Sequence, residues 1–327
     1  MGKHMVKAIQ VHATGGPEVL KYEDIEIPAP GKGEIQIRQH AIGVNFLDVY
    51  YRTGAYPTPL PYTPGNEGAG EVIAVGKGVT GFKVGDRVAY SGPLGGYAEV
   101  RNLPAALGVK LPKNVSYETA AGLMLKGLTA QYLLRQTYKV KPGDTILVHA
   151  AAGGVGSILC QWGKALGATV IGTVGSAEKA KLAKKFGAKH VILYREEDFA
   201  ARVKEITKGK LCQVVYDGVG KATFPASLDC LAPFGTFASF GSASGGIDAF
   251  NLAMLGQKGS LFATRPTLFT FLADRTRLEK MAKDLFKVVA DGTVKIPITG
   301  RYKLADAEKA HRDLQGRETT GMVILTP

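Results

Sequence analysis

The hydrophobic and polar positions follow two different patterns along the chain. Between residues 6 and 125, short runs rich in β-branched residues, such as VKAIQVH, GEIQIRQHAIGV and GAGEVIAVG, are separated by turns rich in glycine and proline. Runs of this length and composition are typical of β-strands. Many short strands in series predict a barrel-like all-β unit for this part of the chain.

After about Ser116, a candidate helix N-cap, the apolar residues recur at helical spacing. From Asp144 onward, strand and helix patterns alternate, beginning with the strand TILVHA and a helix that ends at Gly167. A further helix is predicted over residues 222–233, the strand SLFAT closes the series, residues 267–291 are again helical, and the chain ends in the strand GMVILTP. Repeated strand–helix units predict an α/β fold with a parallel sheet covered by helices on both faces.

The turn HAAAGGVGS, between the strand TILVHA and the following helix, carries the most specific local signal. Ala151, Gly153 and Gly156 occupy the three positions of a G-x-G-x-x-G motif, with alanine in place of the first glycine. In such a turn the second position lets the backbone approach a pyrophosphate, and the third lets helix and strand pack closely. Free N–H groups at the helix N-terminus attract the anion. The motif predicts a dinucleotide-binding turn that also includes Gly154 and Val155.

The end of the second strand of this series, GTVGSAEK, distinguishes NADP from NAD. Sites that bind NAD usually place an acid there, about twenty residues after the glycine motif. Here the tip has no carboxylate, and Glu178 is expected to point into water from the first helical turn. Hydroxyl and basic side chains suit a 2′-phosphate, so NADPH is predicted; the alternative is that the two basic residues are ordinary solvated charges. The predicted 2′-phosphate residues are Gly175, Ser176, Lys179, Tyr194 and Arg195.

Composition and length restrict the class of protein. A chain of 327 residues with 45% hydrophobic and 21% charged residues predicts two globular domains. The cysteines Cys160, Cys212 and Cys230 are far apart, which argues against a disulfide framework and a structural zinc lobe and favours buried thiols in a reducing cytosol. No apolar h-region follows Lys3, so a signal peptide is not expected. The longest weakly polar run, TILVHAAAGGVGSILC, is too short and too rich in glycine for a membrane span.

The net charge of +13 allows an anionic cofactor, nucleic acid or only a soluble surface. The basic residues are spread out, with modest concentrations at 179–189 and 275–287. Neither an RGG run nor an RNP-like motif is present, so RNA binding is a minor alternative.

Several motifs resemble the NADPH:quinone reductase branch of the medium-chain dehydrogenase/reductase superfamily, to which zeta-crystallin also belongs. They are GGPEVL, AIGVNFLDVYYRTG, LKGLT, HAAAGGVGS, QKGSLFATRP and GMVILTP, and the resemblance covers essentially the whole chain from about Met5. It implies a GroES-like β-barrel catalytic domain at 1–125 and 267–327. It also implies a Rossmann domain with a doubly wound parallel sheet at 126–266.

The resemblance also bears on metal binding. Zinc alcohol dehydrogenases of the superfamily read Gly-His-Glu where this chain reads Gly65-Asn66-Glu67. Those enzymes also have a cysteine ligand further upstream, where this chain offers Asn45 and Asp48 instead. A neutral amide is a poor zinc ligand, so no metal site is predicted. Glu67 is expected instead to bind turn amides or a neighbouring basic group through charge-assisted hydrogen bonds.

In relatives, the loop of the β-unit that faces the nicotinamide corresponds to Asn45, Tyr50 and Tyr56. Asn45 and a tyrosine hydroxyl are expected to hydrogen-bond the acceptor or the nicotinamide ribose, while an aromatic core residue is an equal alternative for Tyr50. Asp48 is expected to orient its neighbours rather than titrate. The candidate catalytic residues are therefore Asn45, Asp48, Tyr50 and Tyr56.

The resemblance places further residues beside the cofactor. Lys126 interrupts an apolar run, and a charge in that position needs a partner or a ligand. Other candidates lie at the crevice edge of the parallel sheet, including the turn 264–266, where ligands of such sheets bind. The cofactor candidates added in this way are Asn45, Lys126, Thr129, Phe240, Gly241, Ser242, Arg265 and Arg317, the last with a plain surface arginine as the alternative.

The implied activity is metal-independent transfer of reducing equivalents from NADPH to a quinone. A quinone or enone is already electrophilic and needs only placement, exclusion of water and a few hydrogen bonds. One alternative is an enone or alkenal reductase that acts on conjugated double bonds, and another is an RNA-binding or structural crystallin-like role. In the superfamily, the strand equivalent to SLFAT pairs across a two-fold axis, so the resemblance implies a homodimer.

Overall fold

The computed structural model describes residues 4–316 and 319–327. Arg317, one of the predicted cofactor contacts, lies outside the described residues. The chain forms two compact units, each described separately below. Unit 1 comprises Met1–Leu128, Leu272–Ala290 and Ile296–Pro327, and unit 2 comprises Thr129–Phe271 and Asp291–Lys295.

Strands and helices are numbered in chain order. The strands are β1 His4–Val11, β2 Leu20–Ile27, β3 Glu34–Val44, β4 Glu67–Val75, β5 Arg87–Ser91, β6 Val100–Pro104, β7 Gly108–Lys110, β8 Thr145–Val148, β9 Thr169–Val174, β10 His190–Leu193, β11 Cys212–Asp217, β12 Leu231–Ser239, β13 Phe262–Thr264, β14 Ile298–Lys303 and β15 Met322–Thr326. The helices are α1 Phe46–Arg52, α2 Tyr117–Tyr132, α3 Gly154–Ala165, α4 Ala177–Lys185, α5 Phe199–Ile206, α6 Ala226–Asp229, α7 Ala253–Gln257, α8 Leu268–Leu272, α9 Arg275–Ala290 and α10 Ala307–Gln315.

Unit 1 is built mainly from strands, as predicted. β1 pairs with β2, and a seven-stranded sheet has the order β14-β15-β3-β4-β5-β7, with β6 also paired to β3. β3 organises this sheet because it pairs with β4, β6 and β15, and register shifts at Gln36/Ile37 and Gln39/Ala41 mark bulges in its ladder with β4. The C-terminal end of β3 leads directly into α1, a short helix that the strand-rich pattern did not predict.

Unit 2 contains a six-stranded sheet in the order β10-β9-β8-β11-β12-β13. All its neighbouring strands are parallel. Counted from β8 as the first strand, this is the order 3-2-1-4-5-6 of a doubly wound Rossmann fold. The α/β fold predicted from the strand–helix alternation is confirmed, and the strand order reverses between β8 and β11, where such folds bind ligands.

Local signals explain most helix ends. The Ser116 hydroxyl accepts a hydrogen bond of 3.0 Å from the Thr119 amide and caps α2, as predicted. The helix after β8 ends with Gly167 in the left-handed region at φ +85°. The predicted helix at 222–233 is wrong in length, because only Ala226–Asp229 is helical and Leu231 already pairs with β11.

The three thiols are buried, as predicted, and none of them is in a disulfide. Burial raises the pKa of Cys160 and of Cys212 to about 12, which keeps both thiols protonated. Within the described ranges, no helix is long and apolar enough to cross a membrane.

Candidate active site

The glycine motif of unit 2 forms a tight turn between β8 and α3. Gly153 is the N-cap of α3 and has extended backbone angles, φ −79° and ψ 177°. A methyl group on Gly156 would lie 3.0 Å from the Ala151 Cα and closer still to the Ala150 carbonyl oxygen. Only glycine at position 156 therefore lets α3 start this close to the turn, and the first N–H groups of α3 have no partner within the helix.

The alanine at the first motif position has a structural explanation. A methyl group on Gly172 of β9 would lie 2.6 Å from the Ala151 Cβ. The Ala151 amide also donates to the Thr173 carbonyl at 3.1 Å. Ala151 therefore fits because the neighbouring strand has a glycine opposite it; the sequence signal was an isolated glycine inside a strand pattern.

The ends of β9 and β10 bring three predicted 2′-phosphate residues together. The position that a Gly175 Cβ would occupy lies 3.2 Å from the Tyr194 Oη and 3.3 Å from the Arg195 Nε. Tyr194 and Arg195 are exposed on the surface of unit 2. A phenolic hydroxyl and a guanidinium beside a glycine, which has no side chain, are suitable hydrogen-bond donors for a phosphate.

The other two members of this predicted group lie at the start of α4. The Ser176 side chain caps α4 and accepts a hydrogen bond of 3.3 Å from the Lys179 amide. Glu178 is exposed, as predicted. A backbone hydrogen bond and a hydrogen bond from the Ser176 side chain lower the pKa of Glu178, so the Ser176 hydroxyl already interacts with that carboxylate. We call Gly175, Ser176, Lys179, Tyr194 and Arg195 the strand-tip cluster.

Arg265 joins the ends of β12 and β13. Its guanidinium donates to the Ser239 carbonyl at 2.9 Å and to the Ser242 hydroxyl at 3.3 Å. A methyl group on Gly241, just after β12, would lie 2.5 Å from the carbonyl oxygen of Gly218, just after β11, so the ends of β11 and β12 approach each other closely. At this second edge the structure brings together Phe240, Gly241, Ser242 and Arg265.

In unit 1, the buried carboxylate of Glu67, the first residue of β4, binds several groups, including Asn45, the residue before α1. Glu67 Oε1 accepts from Asn45 Nδ2 at 2.8 Å and from Lys126 Nζ at 2.9 Å, and Oε2 accepts from the Leu125 amide at 2.6 Å. The side chains of Glu67 and Lys126 are 0% and 10% exposed. This is the role predicted for Glu67, and it supplies the partner that the Lys126 charge needed.

Asp48 lies one turn into α1 and is fully buried. Its Oδ2 accepts from the Asn45 amide at 2.8 Å and from the Tyr97 hydroxyl at 2.9 Å. Burial raises the pKa of Asp48 to about 7, opposed by these hydrogen bonds. Asp48 binds the Asn45 amide, and a pKa of about 7 differs from the expectation that this residue does not titrate.

The comparisons with known proteins agree with this architecture. The family model described as "Alcohol dehydrogenase GroES-like domain" matches residues 31–113, and that described as "Zinc-binding dehydrogenase" matches residues 154–283. A quinone oxidoreductase of Pseudomonas aeruginosa is 54% identical over 99% of this chain and 100% of that protein. The crystal structure of Escherichia coli quinone oxidoreductase complexed with NADPH is 49% identical, with a TM-score of 0.96 over 98% of this chain and 100% of that one.

The chain belongs to the quinone oxidoreductase branch of the medium-chain dehydrogenase/reductase superfamily. A 2-haloacrylate reductase of a Burkholderia species is also similar, at 47% identity over 99% of both chains. Proteins similar to this chain are therefore named for two kinds of acceptor.

In this chain, Asn66 occupies the position where zinc alcohol dehydrogenases of the superfamily have a zinc ligand. Asn66 Nδ2 donates to the Gly92 carbonyl at 2.9 Å and so fixes the turn before β4. Across residues 4–316 and 319–327, no group of three or more His, Cys, Asp or Glu side chains is arranged to hold a metal ion. Asn66 therefore has a structural role in this turn.

Tyr50 lies on α1 rather than on a loop, which corrects the expectation from the resemblance. Its ring packs against Phe46 at 5.5 Å and against Tyr56 at 5.2 Å between centroids. The Tyr56 amide donates to the Tyr50 carbonyl at 3.0 Å. A helix forms here because Asn45 precedes it as N-cap and Asp48 accepts the Asn45 amide from the third helical position. Contact of either tyrosine with an acceptor stays a prediction.

Sequence reasoning missed a buried polar group beneath the dinucleotide-binding turn. His149 is hydrogen-bonded through Nδ1 to the Thr173 hydroxyl at 2.8 Å and through Nε2 to the Ser227 hydroxyl at 3.0 Å. Ser227 also donates to Asp217 Oδ2 at 3.1 Å. Burial lowers the pKa of His149, which favours the neutral ring. The only signals in the sequence were a histidine and an aspartate that each follow an apolar strand.

Proposed function

We propose that this protein is an NADPH-dependent quinone reductase that needs no metal. The observation that carries the proposal is the strand-tip cluster, which offers phosphate donors where NAD-binding relatives of the fold place an acid. Similarity to the quinone oxidoreductases supports the choice of acceptor.

The residues of unit 2 fit NADPH. The diphosphate would bind the N-terminus of α3 at Gly153–Gly156, where the first N–H groups of the helix have no partner within it. The 2′-phosphate would bind the strand-tip cluster. When bound, NADPH supplies a hydride. The remaining cofactor contacts proposed are Lys126, Thr129, Phe240, Gly241, Ser242, Arg265 and, outside the described residues, Arg317.

The residues of unit 1 would bind and polarise the acceptor. We propose that Asn45 and the exposed Tyr56 place hydrogen-bond donors near the carbonyl oxygens of a quinone. Glu67 and Lys126 form a neutral buried pair, so they hold Asn45 without adding net charge to the pocket. An electrophilic acceptor needs this placement more than it needs a Lewis acid.

Turnover of a panel of acceptors tests the activity. NADPH oxidation would be followed with several quinones, enones and 2-haloacrylate, and the products would be identified. Hydroquinone formation with the highest kcat/KM supports the proposal. Saturated products alone would instead identify a double-bond reductase, the second candidate that the similarity to a 2-haloacrylate reductase favours. No oxidation with any acceptor would contradict both.

Cofactor preference tests the strand-tip cluster directly. Arg195→Ala should weaken NADPH binding about 10- to 100-fold and leave NADH binding nearly unchanged, because a hydrogen bond to a charged group contributes about 1.5–3 kcal/mol. Lys179→Ala should act in the same direction. Lys189→Ala is the matched control, since Lys189 is exposed just before the opposite end of β10 and its loss removes the same charge. Equal losses for Arg195→Ala and Lys189→Ala would mean that only the general surface charge matters.

We also propose a homodimer formed along β13. This strand is the edge of the six-stranded sheet, and Phe262 on it is 61% exposed. An exposed apolar edge strand is a template for pairing with another chain. Phe262→Asp should therefore give monomers in sedimentation velocity, whereas Val84→Asp in unit 1, at a site of equal exposure (62%), should not. A monomeric parent protein at micromolar concentration would refute the dimer.

Two further proposals concern the domain boundaries and the cellular location of the protein. We propose that residues 1–125 with 267–327 form the catalytic domain and residues 126–266 the cofactor domain, supported by the compact units and the two family matches. Hydrogen exchange should show protection by NADPH mainly within 126–266.

The unpaired buried thiols support a cytoplasmic location, which cell fractionation would test.

A further inference from the structure

A second buried polar network of unit 1 connects α10 with the start of α1. Arg52 lies 3.2 Å from His311 Nδ1, and His311 Nε2 lies 3.0 Å from the Tyr97 hydroxyl. That hydroxyl lies 2.9 Å from Asp48 Oδ2. All four side chains are buried, at 0% or 1% exposure. We call Arg52, His311, Tyr97 and Asp48 the α1 network.

The chemistry of the end residue fixes the direction of every hydrogen bond in the α1 network. A guanidinium can only donate, so His311 Nδ1 accepts and the ring proton is on Nε2. His311 Nε2–H then donates to the Tyr97 oxygen, and the Tyr97 O–H donates to Asp48. Burial, together with the Arg52 charge, lowers the pKa of His311 to about 3, consistent with this neutral tautomer.

The network is anchored at both ends. Arg52 also donates to the Gly15 carbonyl at 3.2 Å and to Gln315 Oε1 at 2.7 Å. At the other end, Asp48 Oδ2 also accepts the Asn45 amide, while Oδ1 has no hydrogen-bond partner among the described atoms. Asp48 Oδ2 therefore accepts the hydrogen bonds of both Tyr97 and the Asn45 amide. The second of these fixes the backbone of Asn45, whose side chain donates to Glu67.

We propose that Arg52, His311 and Tyr97 are positioning residues that hold Asp48, and through Asp48 the backbone of Asn45, in the geometry needed for acceptor reduction. This inference rests on the proposed function. A hydrophobic cluster of the same volume would stabilise a core at least as well as buried charges do. A fully directed polar network instead gives one orientation of α1, which a binding site requires.

The charges around Asp48 make the proposal testable by pH. Besides Tyr97, the titratable groups that act on it are Glu67 and Lys126, and the Tyr51 and Tyr62 hydroxyls also lie within its electrostatic reach. The Tyr97 hydrogen bond lowers the pKa of Asp48, so its removal should raise that pKa further. Since the ionised carboxylate binds the Asn45 amide more strongly, the acid limb of the kcat profile should move to higher pH.

Tyr97→Phe is the principal test, with NADPH and the best acceptor of the panel. We expect kcat to fall about tenfold, the KM for NADPH to stay within about twofold, and the acid limb to rise by about one pH unit. Tyr62→Phe is the matched control, because it removes a buried hydroxyl of the same core cluster that has no partner in the described structure. Burial raises the pKa of Tyr62 to about 12, so this variant removes only a neutral hydroxyl that is not bonded to Asp48, and kcat and the pH profile should stay unchanged.

A pair of His311 variants keeps the test independent of the tyrosine. His311→Gln retains a donor and an acceptor and should preserve most of kcat, whereas His311→Leu should lose as much as Tyr97→Phe. This pair decides the matter if Tyr97→Phe does not fold. Active parent protein with folded variants of unchanged kcat and pH profile would overturn the inference alone. A parent protein inactive with every acceptor would overturn the proposed function, and the inference with it.

Discussion

Replacing Gly156 with alanine should reduce NADPH affinity at least about 100-fold, the largest effect that we expect on cofactor binding. The added methyl group would collide with the Ala150 carbonyl and lie 3.0 Å from the Ala151 Cα. Both are backbone atoms, so the turn itself would have to move, and with it the N–H groups that would bind the diphosphate. Titration of NADPH by its fluorescence measures the dissociation constant directly.

Gly163→Ala provides the control for this change. Gly163 lies on α3 seven residues further along, and an added Cβ there would meet the end of the Ile146 side chain at 2.7 Å. A side-chain end can move aside, so NADPH affinity should stay within a few-fold of the parent value. Equal affinity of Gly156→Ala and Gly163→Ala for NADPH would show that the turn does not contact the diphosphate.

Short-range chemistry explains why several helix ends and the glycine-rich turn could be predicted. Ser116 caps its helix through a residue three positions away, and Gly167 ends a helix because its backbone needs a positive φ. The glycine motif is likewise a set of local steric requirements. Signals of this kind are complete within a window of a few residues, so a single sequence contains them.

The elements that escaped prediction depend on distant partners or on weak local signals. α1 has only seven residues, and its aromatic composition resembles a strand more than a helix. The helix predicted at 222–233 is shorter than expected because Leu231 pairs with Cys212 in the sheet, and this pairing overrides the helix propensity of the segment. Sheet pairing decided the second case, and no local pattern records it, whereas α1 depends on the short capping signal of Asn45 and Asp48.

The candidate site shows the same division. The need of Lys126 for a partner was readable from its apolar surroundings, and Glu67 was expected to bind a basic group, yet nothing in the sequence joined the two residues. Arg52 and His311 are 259 positions apart, so their contact could not be inferred from spacing. The strand-tip cluster was more accessible, because the ends of neighbouring parallel strands must lie side by side.

Glu67→Leu should destabilise unit 1 by about 3–5 kcal/mol, the largest stability effect that we expect. The change leaves the Lys126 ammonium buried without its counter-charge and removes the acceptor of the Asn45 amide group and of the Leu125 N–H. An unpaired buried charge costs far more than the loss of an exposed ion pair. Urea unfolding, followed by a probe in unit 1, measures the free energy of unfolding of each variant.

A double-mutant cycle separates the pair from general damage to the core. Lys126→Met alone leaves the Glu67 carboxylate buried but still bonded to two N–H groups, so it should cost less than Glu67→Leu. The double variant should be more stable than the sum of the single losses predicts, by about 1–3 kcal/mol, because neither charge is then left unpaired. Additive losses would mean that the two charges are screened by water and do not act as a pair, which their exposures of 0% and 10% argue against. Since Asn45 bonds to the same carboxylate oxygen as Lys126, a strong coupling energy would also show that the acceptor side of the proposed active site depends on a charge pair 59 positions apart in the chain.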